Sequence, residues 1–121
     1  MTVLYHYTCE HGMLAILGDD RRLRPTPQVA LPGCPPLLWC TTQARPDPEA
    51  LGLTSYTLAC DRTQHRFRLD DPGAAVPWVE WLRYQPREMR RTARLVLTGS
   101  PLLWWVATVP VRAHLTGEPN G

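Results

Sequence analysis

Thirteen prolines in 121 residues are the feature that most constrains this chain. A proline inside a helix removes a hydrogen bond and clashes with the preceding turn, and inside a central strand it cannot donate to the ladder. At about twice the usual frequency, together with eight glycines, prolines restrict the chain to short elements separated by many turns. A helix bundle is therefore disfavoured. The composition is otherwise that of a globular domain, 44% hydrophobic and 20% charged. The length suits one domain with one core. The longest apolar run, Leu102 to Val109, falls well short of the roughly 18 residues a membrane span needs, and it suits a buried strand. The N-terminus shows no basic start followed by an apolar stretch, so the expectation is a cytoplasmic protein without membrane attachment.

All thirteen basic residues are arginine, and the formal net charge is only +2. The balance alone does not announce a nucleic-acid binder, although every cation is a planar fork suited to phosphate or carboxylate. Cysteines stand at positions 9, 34, 40 and 60. None forms a C-x-x-C pair, so the expectation is no metal and four reduced thiols.

Residues Val3 to Thr8 read as an opening strand with Val3, Tyr5 and Tyr7 on one face and Leu4, His6 and Thr8 on the other. Thr8 is expected to cap a helix over residues 9–17 whose apolar face is Met13, Leu14 and Leu17, closed by Gly18 as the left-handed residue. The proline-rich segment 19–36 reads as a loop with a short strand near Leu23. Leu37 to Thr42 reads as a strand, and Asp47-Pro48 as the start of a helical turn closed by Gly52. Thr54 to Cys60 and His65 to Leu69 read as a hairpin through Asp61-Arg-Thr-Gln. Asp70-Asp-Pro-Gly is a turn, and Val76 to Tyr84 is open between helix and strand. Pro86 to Leu97 reads as a helix with Met89, Ala93 and Val96 inward and Arg87, Arg90, Arg91 and Arg94 outward. The sum is a single α+β domain over residues 1–112, with small mixed or antiparallel sheets and two or three short helices, followed by a tail over 113–121.

Three stretches carry a resemblance: Tyr5-His6-Tyr7-Thr8, then Ile16-Leu17-Gly18 with Leu23, then Trp39-Cys40-Thr41-Thr42. In this order they resemble the opening of the ADP-ribosyltransferase-like fold, in its His-Tyr-Glu branch, over about the first 60 residues. The resemblance implies an enzyme that uses NAD and transfers ADP-ribose to a macromolecular acceptor, either protein or nucleic acid. His6 would bond the nicotinamide ribose as a catalytic and cofactor-binding residue, with Tyr7, Thr8 and Thr41 at the matching motif positions. Trp39, Tyr56 or Trp78 would stack on the nicotinamide. Read from the hairpin's own polar cluster, Arg62, Arg66 and Arg68 are forks for the NAD pyrophosphate or an RNA phosphate. Glu80 is the first candidate for the carboxylate and Glu88 the second. Cleaving the glycosidic bond builds positive charge on the ribose, which a nearby carboxylate stabilises. The alternative from another class is a non-catalytic binding module, a degenerate transferase fold covering a protein or nucleic-acid partner.

Overall fold

The computed structural model describes residues 2–53 and 61–117. Among the described residues seven strands form an antiparallel sheet: β1 (Tyr5–Thr8), β2 (Arg22–Leu23), β3 (Leu38–Thr41), β4 (His65–Leu69), β5 (Val76–Pro77), β6 (Trp104–Ala107) and β7 (Val111–Leu115). Their spatial order is β2-β7-β4-β1-β3-β6-β5. The described α-helices that accompany them are α1 (Glu10–Gly18), α2 (Trp78–Arg83) and α3 (Arg87–Val96). The architecture is mixed α+β, as the sequence implies. Of the small mixed or antiparallel sheets expected, the described strands form a single sheet in which every pairing is antiparallel.

The strand pairings are uneven. β1 and β4 pair at four positions, from Tyr5↔Arg68 to Thr8↔His65, and β3 and β6 also pair at four. Between them, β1 and β3 pair only at Tyr5↔Thr41. The sheet is thus two well-knit halves, β2-β7-β4-β1 and β3-β6-β5, joined at one end of a seam that opens toward Thr8 and Leu38.

Alternation sorts the side chains onto two faces. On one, Leu4, Leu38, Cys40, Phe67, Leu69, Ala107 and Ala113 form a core spanning both halves, against which Met13 and Ile16 of α1 pack. On the other, Leu37, Trp104 and Val106 pack with Trp78 and Ala93 from α2 and α3. The same face of β1 and β4 carries Tyr5, Tyr7, Arg66 and Arg68.

The proline logic holds locally. Pro77 and Pro86 sit at the N-cap positions of α2 and α3, where a fixed φ fits and no intrahelical donor is lost. Asp47 Oδ1 accepts from the Ala50 amide, and Gly52, at φ +70°, ends that turn.

Several expectations shift. Cys9, not Thr8, is the N-cap residue of α1, and no side chain caps it. Gly18 belongs to the helix, and the left-handed residues are Asp20 and Arg21, at φ 54° and 58°. Tertiary bonds hold that strained pair. The Ala113 amide donates to the Arg21 carbonyl at 2.9 Å, the Arg21 guanidinium donates to the Ala113 carbonyl at 3.1 Å, and Asp20 pairs with Arg112. Met13 and Ile16 face the core, whereas Leu14 and Leu17 are 59% and 42% exposed. Leu102 and Leu103 lie in a 3-10 turn before β6, so the last strand is shorter than the apolar run. Residues 113–115 are not tail but part of β7, because the fully buried Ala113 pairs with Leu69 in the ladder. β4 is flanked by β1 and β7, and the hairpin partner expected at Thr54 to Cys60 lies outside the described residues.

Candidate functional site

A cleft of about 610 Å³ follows the open seam between β1 and β3. β1 contributes His6 and Thr8, β3 contributes Trp39 and Thr41, and α1 contributes Gly12 and Ile16. Loop residues Gln28, Leu51 and Thr98 close other sides, and Arg62 reaches it from the turn before β4.

His6 sits where the ladder between β1 and β3 fails. Its Nδ1 lies 2.8 Å from the Trp39 carbonyl oxygen. A carbonyl only accepts, so Nδ1 carries the proton and donates. Burial holds the His6 pKa below its ordinary value, against the raising effect of the Trp39 bond and with a smaller lowering from the Arg62 charge. The ring is therefore neutral at pH 7, with Nε2 as an acceptor. That nitrogen makes no hydrogen bond among the described residues.

Trp39 forms a rigid wall. Its Nε1 donates to Gln28 Oε1 at 3.0 Å, and Gln28 in turn donates to the Thr26 carbonyl at 2.8 Å. Behind it, the Trp78 ring lies 4.8 Å away and the Trp104 ring meets it edge-on at 5.7 Å. Such contacts favour one ring orientation.

Close packing sets the cleft's opposite corner. A Cβ at Gly12 would stand 1.9 Å from Thr8 Oγ1, so only glycine lets α1 lie this near β1. At the closed end of the seam, Thr41 Oγ1 accepts from the Gln43 amide and Tyr7 Oη donates to the Gln43 carbonyl at 2.6 Å. Burial pushes the Tyr7 hydroxyl above its ordinary pKa, so it stays protonated and keeps this bond.

Of the residues the sequence singles out, His6, Tyr7, Thr8, Trp39, Thr41 and Arg62 line the cleft together. Others lie elsewhere. Trp78 is buried at 2% exposure behind Trp39, an aromatic support rather than a lining ring. Arg66 is used within the fold: its guanidinium donates to Thr116 Oγ1 at 2.7 Å and to the Ala44 carbonyl, and it lies over the Tyr5 ring. Glu80 is exposed on α2 and Glu88 on α3, and neither lines the cleft. Tyr56 lies outside the described residues.

The sequence reading missed Asp19, Arg24, Gln28 and Gly12, all of which line the cleft. Asp19 is the one carboxylate among its described lining residues. Arg24 grips it with two donors, at 2.5 and 3.1 Å, and lowers its pKa. A glycine inside a short helix and a glutamine among prolines were the available signals for Gly12 and Gln28.

Cys34 and Cys40 carry free thiols, and burial pushes that of Cys40 up to about 12. No helix among the described residues is long and apolar enough to cross a membrane. The chain matches no known protein family, no curated protein and no solved structure.

Proposed function

We propose that this chain is an ADP-ribosyltransferase-like protein that takes NAD into the β1–β3 cleft and passes ADP-ribose to a macromolecular acceptor. The observation that carries the reading is the anchored histidine. With Nδ1 fixed on the Trp39 carbonyl, a neutral His6 offers Nε2 to a ribose hydroxyl, and the donor side of the ring cannot compete. Trp39, held from behind, offers a flat face for the nicotinamide. Arg62, which makes no ion pair among the described residues, is the cation available to the pyrophosphate.

A second reading is a non-catalytic binding module, a degenerate transferase fold that covers a protein or nucleic-acid partner. It is favoured by the position of the carboxylates: Asp19 is already neutralised by Arg24, and Glu80 and Glu88 stand outside the cleft. In the transferase reading NAD stabilises the protein, by about 2.7 kcal/mol when its concentration is a hundredfold above Kd, whereas the binding module gains no stability from it. His6→Asn keeps a donor for the Trp39 carbonyl but removes the Nε2 acceptor. It is expected to abolish most of the NAD-induced rise in Tm while leaving the unliganded Tm nearly unchanged. Chromatographic assay of released nicotinamide then separates enzyme from binder. No thermal response to NAD in the native protein would refute the transferase reading and favour the binding module.

A further inference from the structure

The arginines of α3 are not used by the cleft. This helix of 10 residues carries four arginines and one glutamate, a net charge of +3 against +2 for the whole chain. At 100° per residue, Arg87, Arg90, Arg91 and Arg94 fall in one stripe, opposite the buried Met89 and Ala93. Glu88 projects about 100° from the stripe's centre, too far round the helix to cover it. The four side chains alone line a surface depression of about 300 Å³. Among the described residues none of them makes a salt bridge, whereas Arg21, Arg22, Arg24 and Arg112 are all paired with Asp19, Asp20 or Asp70. The acidic partners are thus grouped at the β2–β7 edge, and α3 is left uncompensated.

We infer that α3 binds the phosphodiester backbone of a nucleic-acid strand. The stripe runs from Arg87 to Arg94, a rise of about 10 Å, and a stacked strand presents one phosphate per about 3.4 Å of axis. Four arginines therefore face about four phosphates, each within reach of a bidentate fork. Tyr84, 76% exposed just ahead of the helix, offers a ring on which a base can stack, a feature an acidic peptide would not use. The helix also leads to the cleft, since Val96, Leu97 and Thr98 at its end form part of the cleft lining. A strand lying along α3 is delivered to the cleft mouth, which makes nucleic acid the acceptor class. That last step rests on the NAD reading, but the binding does not.

The test uses the full chain without NAD, so its failure leaves the cleft reading standing. Fluorescence anisotropy with labelled 20-nucleotide single-stranded DNA and RNA is followed from 50 to 200 mM NaCl. Four phosphate contacts give a slope of log K against log salt of about −3, or about 50-fold weaker binding across that range. Each Arg→Gln substitution is expected to reduce the slope by about 0.7, and R87Q/R90Q/R91Q/R94Q to flatten it almost fully. Binding by either oligonucleotide supports the inference and names the source of the phosphates. Single substitutions at Arg91 and Arg94 carry the test if the fourfold variant does not fold. Absence of binding at 50 mM NaCl, unchanged binding by the variants, or equal displacement by polyglutamate of matched charge would overturn it.

Discussion

Two glycines in one helix offer a sharp test of how α1 is seated beside the cleft. Gly12 and Gly18 both lie in α1, where replacing glycine by alanine ordinarily stabilises by up to about 1 kcal/mol. At Gly18 an added Cβ meets nothing within 4 Å, so Gly18→Ala is expected to be stabilising by about 0.5–1 kcal/mol. At Gly12 it meets Thr8 Oγ1 at 1.9 Å and Thr8 Cβ at 3.1 Å. The hydroxyl clears the first contact only through a change of Thr8 rotamer or a shift of α1, and overpacking of this kind costs about 1–3 kcal/mol. Gly12→Ala is therefore expected to be net destabilising by about 1–2 kcal/mol, lowering Tm by roughly 4–8 °C in a domain of this size. In a Thr8→Ala background only the Cβ contact remains, so most of the penalty should vanish, giving a coupling of about 1–2 kcal/mol. Calorimetry or urea unfolding of the four proteins in this cycle measures it. A stabilising Gly12→Ala, or additive effects of the two changes, would refute the close seating of α1 on β1.

Two other outcomes follow from titratable groups. The native state holds the His6 pKa below its unfolded value, so the unfolded chain binds the proton more readily, and stability is complete above about pH 6.5 and falls as pH drops below it. The loss can reach about 1.4 kcal/mol per pH unit for one proton. Urea unfolding at pH 7 and pH 5 should show it in the native protein and not in His6→Asn; an equal pH dependence in the two proteins would contradict it. Cys40, with its thiol near 12, should resist iodoacetamide at pH 8 in the folded state and label readily in urea, as followed by mass spectrometry of peptides; rapid labelling of the native protein would show that the thiol is not held in the core.

Local chemistry was enough to place the elements with strong internal signals. The β-rich run His65–Leu69 is β4 to the residue, its alternation puts Phe67 and Leu69 in the core, and Pro86 with the arginine spacing locates α3 and its outer face. These depend on period, proline geometry and polarity, which a chain carries in its own neighbours. Where the local signal was degenerate, packing decided. Met13, Leu14, Ile16 and Leu17 spread apolar surface over an arc of about 160° of α1, wider than the sheet covers, so contact with the sheet selects Met13 and Ile16. Trp39 and Trp78 are chemically alike, yet the seam exposes one to the cleft and the other supports it from behind. The opening of β1 from β3 depends on a pairing between residues more than thirty positions apart, and no short-range pattern encodes how far two strands stay in register. It was the tertiary structure that brought His6, Thr8, Trp39 and Arg62 into one cleft and left Glu80 on the exposed face of α2, because a side chain's surroundings are set by which distant segments bury their apolar surface against its own.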